Sequence, residues 1–179
     1  MAALGHGRFA HEHRCGSIIG TYEGQVANRF DTELRVHFGY PIAYENDAVR
    51  AIIAGLHIVD AIRRLQSKFP QLSCLSGESL FAVRVGIHTG QVVAGDSNPS
   101  TYNSIVGATG GVASRIQRIA ATNAVVISEQ TYQLVHGFFE VRYLGETRIP
   151  GLAKPLGLFD VVGKTSAEDR IQAATQLPS

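Results

Sequence analysis

Between Val83 and Ser128 the chain sets three short apolar runs among glycine-rich turns: VRVGIHTGQVVAGD, then NSIVGATGGVASRIQRIA, then NAVVISEQTYQLV. In the first, Phe81, Val83, Val85 and Ile87 alternate, so they share one side of a strand from Leu80 to His88. Thr89 and Gly90 permit a sharp turn, and Gln91 to Gly95 is expected to return as the second arm of a hairpin. In the second run a short strand near Ile105 and Val106 meets Gly107, Gly110 and Gly111. A helix follows, with Val112, Ile116 and Ile119 inward and Arg115 and Arg118 near its outer edge. The third run predicts a strand over Ala124–Ile127 and a helix to about Val135, opened by Ser128 as the cap.

The flanking segments extend this pattern. QVANRFDTELRVHF, from Gln25 to Phe38, has apolar residues at strand-like spacing around a polar centre and reads as a hairpin ended by Gly39 and Pro41. From Asn46 onward Ala48, Ile52, Leu56, Val59 and Ile62 recur at three- and four-residue steps, one face of a helix running to about Phe69. Asn46 or Asp47 is expected to cap it by accepting a backbone N–H bond. A polar connector spans Pro70 to Ser79. Strands are expected at Phe139–Leu144 and, after the turn-rich PGLAKP, at Leu156–Val162. Short strands, hairpins and interspersed helices argue for an α+β fold in which helices cover one face of a mostly antiparallel sheet.

At 179 residues this is one domain with one core, and the polar Ala/Gln-rich stretch 163–179 reads as a tail or linker. Apolar content of 45% with 17% charged residues is that of a globular chain, and a net charge of +1 provides no field for nucleic acid or an anionic membrane. No run reaches the length of a membrane helix, and MAALGHGRFAHEHR lacks the apolar stretch of a signal peptide. Cys15 and Cys74 have no metal or redox spacing, the reading for ordinary intracellular thiols, so a cytoplasmic location is expected.

VRVGIHTG, VVISEQTYQLV and LGETRIPGLAKPLGLFDVV each resemble segments of the class III adenylate/guanylate cyclase catalytic domain, over about Phe9 to Val162. The resemblance is to cyclase domains at the front of large bacterial proteins with a following ATPase module. FGYPIAYENDAVRAIIAGLHIV is similar to the start of their second helix. It implies a ferredoxin-like α+β domain spanning 9–162 and a reaction that turns a nucleoside triphosphate into a cyclic nucleotide and pyrophosphate. Two metal ions, Mg²⁺ or Mn²⁺, would be held by two aspartates, and an arginine would take up charge on the phosphates. The sites would lie at the interface of a homodimer, or of a heterodimer with another cyclase domain.

The reactive positions depart from that pattern. The first metal aspartate belongs to a segment of the form F-x-D-[LI]-x-G-[FS]-[ST], which the chain begins too late to contain, so the family's first strand has no counterpart; FAHEHRCGSIIGTYEG resembles the second half of the first helix. That strand lies inside the sheet. Either residues 1–10 rearrange to fill its place, a partner supplies a strand, or the chain is a fragment of a longer product. The second aspartate's place falls on Thr32, and a one-residue slip puts Asp31 there as the metal ligand. Phe30 and Glu33 replace the turn glycines, and Asp31 and Glu33 also read as solvated turn acids. In the V-G-[DE]-x-x-N-x-A-x-R motif Ala108 replaces the purine-reading acid and Gly111 the ribose asparagine. Arg115 alone matches, at the place of the transition-state arginine, where a guanidinium fork suits phosphate oxygens. His88 follows the family's G-[IV]-H-x-G turn as a structural, hydrogen-bonding histidine. The expectation is a degenerate cyclase-like domain of cyclic-nucleotide signalling without independent activity. The alternatives are half of a composite cyclase site and a non-catalytic protein-interaction module.

Overall fold

A computed structural model describes residues 2–5, 12–30, 33–69, 82–94, 105–106 and 108–165. In chain order the elements are β1 (Ala2–Gly5), α1 (Glu12–Thr21), β2 (Gln25–Phe30), β3 (Glu33–His37), α2 (Asp47–Lys68), β4 (Arg84–Ile87), β5 (Val93–Ala94), β6 (Ile105–Val106), α3 (Ala108–Ile119), β7 (Ala124–Ser128), α4 (Glu129–Val135), β8 (Phe139–Thr147) and β9 (Leu156–Lys164). Seven strands join in the order β2-β3-β1-β4-β7-β9-β8, and β5 with β6 makes a separate two-stranded ribbon. β4 and β7, linked through α3, are parallel; the other pairings are antiparallel.

Strand alternation sorts the side chains onto two faces. Leu34 and Val36 of β3, Val85 and Ile87 of β4, and Val125 and Ile127 of β7 join one core with Ile52, Ile58, Val59 and Ile62 of α2, Ile19 of α1 and Val135 of α4. Val126 and Leu158 lie in a second cluster with Val112 and Ile116 of α3, together with Ile149 and Leu156. Thus α1, α2 and α4 cover one face while α3 covers the opposite one, which corrects the expectation that the helices lie on one face only: the crossover between the parallel strands β4 and β7 runs over the other side. Gly86 makes that possible. A Cβ there would lie 2.3 Å from the Gln117 backbone nitrogen and 2.5 Å from the Ala113 carbonyl oxygen, so the α3 backbone rests directly on the strand.

The interior slot that the resemblance left without a strand is filled. Ala2–Gly5 pairs on one side with β3, Ala2 against Val36 and Gly5 against Glu33, and on the other with β4, Ala2 against Ile87 and Gly5 against Arg84. Within the segment 1–10 it is residues 2–5 that occupy the slot, and they pair with the strands on both of its sides. β1 thereby lies ahead of the expected boundary at Phe9, and β9 runs past Val162 to Lys164.

Three local expectations are corrected. The segment from Gln91 does not fold back on β4; Val93 and Ala94 pair instead with Val106 and Ile105. Ile119 is not inward: it is 46% exposed, because the helix ends there and Ala120 takes the buried position. Asn46 is the N-cap residue of α2 but its side chain makes no cap bond. Asp47 accepts the Tyr44 N–H at 2.8 Å and pairs with Arg50, and this organises the helix start. Ser128 caps α4 as expected, accepting the Thr131 N–H. Phe81, Cys74, the connector 70–79 and the tail 166–179 lie outside the described residues. The pairing of β8, at the sheet's edge, with β9 shifts register twice: Val162 of β9 is the extra residue opposite Glu140–Val141, and Leu144 of β8 is the extra one between Tyr143 and Gly145, beside Gly145 at φ +99°.

Two histidines are folded into these layers. His37 at the end of β3 and His88 just past β4 are each 7% exposed, and burial is the main reason both imidazoles are lowered from the usual 6.5 to about 4. They are neutral in the folded protein at pH 7. Folding stability should be full above pH 6.5 and fall on acidification towards pH 4, because the unfolded chain takes up protons that the buried rings refuse. Between pH 6.5 and 5 urea midpoints should report a loss of about 1.4 kcal/mol per pH unit for each histidine, and replacing His37 by Gln should remove about half of the slope. At the close approach of α3, Gly86→Ala should cost about 3 kcal/mol in the same denaturation experiment, since backbone rather than a mobile side chain would have to move.

Candidate functional site

The first turn of α3 is placed by the end of β4. Thr109 Oγ1 donates to the Gln91 carbonyl at 2.7 Å, and a Cβ on Gly90 would lie 2.8 Å from that same oxygen, so the glycine admits the helix start. Beneath it the His88 Nδ1 bonds Ser128 Oγ at 2.9 Å, and Thr89 Oγ1 bonds Thr131 Oγ1 at 3.0 Å. His88 is thus neutral, buried and tied to the cap of α4, an arrangement that joins two strand ends.

Arg115 stands on the outer face of α3, exposed, between buried Ser114 and Ile116. Among the described residues it has no ion-pair partner. Its guanidinium folds back one turn: a Cβ built on Gly111 would lie 3.7 Å from Arg115 Nη1, which is ordinary contact. The position where the family's asparagine would stand is therefore open enough for a side chain, and this chain leaves it bare. Gly110 and Gly111 together also weaken the first half of the helix.

A polar clasp, which the sequence reading did not anticipate, connects α3 to the β2–β3 hairpin. Ser114 Oγ donates to Glu33 Oε1, and Arg35 Nη2 donates to Ser114 Oγ at 3.3 Å and to Glu33 Oε1 at 3.4 Å. Glu33 is no solvated turn acid: its side chain is 15% exposed and is engaged on both sides. The signal was present in the sequence, because Glu33 and Arg35 alternate with the core residues Leu34 and Val36 and so must face the other layer. Asp31, the candidate metal ligand, and Thr32 lie outside the described residues.

The described residues do not fit a two-metal centre. β1 reads Ala-Ala-Leu-Gly, so the interior strand carries no carboxylate, and Glu33 is already occupied by Arg35 and Ser114. Among the described residues no three His, Cys, Asp or Glu side chains gather to hold an ion. A groove of about 430 Å³ lies elsewhere, between α1 and α2, lined by Arg14, His57, Asp60 and Arg64 among others, and contains none of the residues marked by the resemblance. None of the described helices is long and apolar enough to cross a membrane.

Similarity to known proteins bears on the fold and the family. A protein of Rhizobium meliloti (strain 1021), itself uncharacterised, is 32% identical over 138 residues, which are 75% of this chain but 13% of that protein. The chain thus spans about an eighth of the relative's length. Among solved structures, the guanylyl cyclase Cya2 superposes with a TM-score of 0.78 at 21% identity, covering 93% of this chain and 92% of that one. The adenylyl cyclase CyaB from P. aeruginosa does so with a TM-score of 0.76 at 23% identity, covering 89% and 81%. Residues 25–162 match the family described as the Adenylate and Guanylate cyclase catalytic domain, and with that match over most of its length the chain belongs to this family.

Proposed function

We propose that this is a class III cyclase-like domain of cyclic-nucleotide signalling that has no independent catalytic activity and retains one phosphate contact, Arg115. The observation that carries the reading is the composition of β1. The strand in the interior slot consists of Ala2, Ala3, Leu4 and Gly5, none of which can ligate a metal. Phosphoryl transfer of this kind draws most of its transition-state stabilisation from metal ions and positioned cations. A chain without the first aspartate would be slower by many powers of ten, since each 1.4 kcal/mol lost is about tenfold in rate. The replacements at Ala108 and Gly111 act in the same direction, removing hydrogen-bonding groups for the base and the ribose.

A second reading, that the domain completes half of a composite site, is favoured by the exposure of Arg115 and its lack of an ion-pair partner among the described residues. In a homodimer the carboxylate that β1 does not carry would be missing twice. The partner would have to be a heterologous cyclase domain bringing both aspartates and its Mg²⁺ or Mn²⁺. The place of the domain at the front of a longer cyclase–ATPase chain, the extent 9–162 as the catalytic homology region and a cytoplasmic setting belong to the same proposal.

The purified domain should form no cyclic nucleotide from ATP or GTP with Mn²⁺. In calorimetry a non-hydrolysable triphosphate analogue should bind weakly and with equal affinity with and without Mn²⁺, and Arg115→Ala should reduce that affinity about tenfold, the scale of a charge-assisted hydrogen bond. Metal-dependent turnover by the domain alone would refute the first reading. Turnover that arises only on mixing with an active cyclase domain, and is lost with Arg115→Ala, would select the second.

A further inference from the structure

The setting of α3 decides where Arg115 points, and the contacts that fix this setting are unequal. Val112, Ile116 and Ala120 pack on Val126, Ile149, Leu156 and Leu158. Apolar contact of this kind is non-directional: it holds the helix down but resists rotation about its axis weakly. Gly86 sets how closely the helix approaches β4 and brings the backbone of Ala113 and Gln117 onto the strand, which leaves Ser114, beside Ala113, to meet the hairpin through its side chain. Hydrogen bonds are directional. Among the described residues the polar side-chain contacts of α3 are Thr109 to the Gln91 carbonyl, at the helix start, and the clasp of Ser114 with Glu33 and Arg35. Two glycines, Gly110 and Gly111, separate Thr109 from the rest of the helix, so the first contact transmits orientation poorly to residue 115.

The strand register explains why the clasp reaches this point. Arg35 pairs with Ala3, Ala3 with Gly86, and Gly86 with Val126, so a single row crosses four strands beneath α3. Glycine at the third place brings the helix close over β4, and the long Arg35 at the first place spans the remaining distance to Ser114. Ser114 immediately precedes Arg115, and a rotation of α3 that withdrew one from the hairpin would swing the other by the same angle. Glu33 and Arg35 are bonded to each other as well as to Ser114, so the three side chains form one connected set between hairpin and helix.

We propose that Glu33, Arg35 and Ser114 are positioning residues: together they fix the rotation of α3 and so the place at which Arg115 meets a nucleoside triphosphate. This rests on Arg115 being a phosphate contact, as argued above. The clasp acts through Arg115 and does not itself touch the ligand.

The test is a double-mutant cycle with the non-hydrolysable triphosphate analogue as the probe. Ser114→Ala and Glu33→Gln should each weaken its binding about tenfold in the Arg115 background and have no further effect when combined with Arg115→Ala; Ser114→Thr, which keeps the hydroxyl, should restore at least half of the loss. Amide hydrogen exchange at residues 113–118 should accelerate about tenfold in Ser114→Ala, with α2 unchanged, which shows that the chain is folded and that only α3 has loosened. Unchanged triphosphate affinity in both variants, or equal losses with and without Arg115, overturns the positioning role while leaving Arg115 as the contact. Failure of the unmutated chain to bind the analogue overturns the reading of Arg115, and the positioning role falls with it.

Discussion

The contact between α3 and Gly86 is the constraint on which the rest of the structure depends. A parallel pair of strands needs a crossover, and here the crossover helix lies on the face of the sheet opposite to the other three helices. Because no side chain stands between strand and helix at residue 86, the helix backbone is within contact distance of the strand, and α3 reaches both β1 and β4. Everything of chemical interest follows that placement: the seat of Thr109 over Gly90, the clasp at Ser114 and the outward face bearing Arg115. On the other face Gly55 of α2 plays a milder form of the same part, where a Cβ would lie 3.1 Å from Val85. The two layers thus grip β4 from both sides.

The elements that hold the frame keep family-like sequence, as in VVISEQTYQLV with its Ser128 cap, whereas the proposed loss of activity rests on the residues that the resemblance places at the metal, ribose and base positions. Glu33 illustrates how a polar residue at such a margin can be absorbed into structure. A carboxylate flanked by a guanidinium and a hydroxyl is satisfied without an ion, and it contributes to the joint between hairpin and helix.

Much of the architecture was legible because period and burial coincide. The long three- and four-residue recurrence of α2 fixed its ends to within a residue, and the spacing around DTE fixed the hairpin of β2 and β3. What was illegible depended on partners far away in sequence. AALG is too short and too small to signal a strand; it becomes one because β3 and β4 offer it hydrogen bonds on both edges. The run at Val93 and Ala94 has strand character but nothing in its own residues names Ile105 and Val106 as its partner. On α3, the motif singled out Arg115 as a candidate and passed over Ser114, because a serine in a helix carries no signal until the acid and arginine opposite it are known.

The two register shifts between β8 and β9 have a consequence for how the molecule behaves in company. A straight nine-residue strand at the end of a seven-stranded sheet, with Tyr143 and Leu144 largely bare, would present a template to any other extended chain. The extra residue at Leu144, between Tyr143 and Gly145, bends β8 and interrupts its outer row of amides and carbonyls near the middle of the strand, and the extra Val162 in β9 adds twist to the pair. The sheet can therefore end in open solvent at β8 and still remain one sheet, leaving association to surfaces where side chains, rather than backbone, decide the partner.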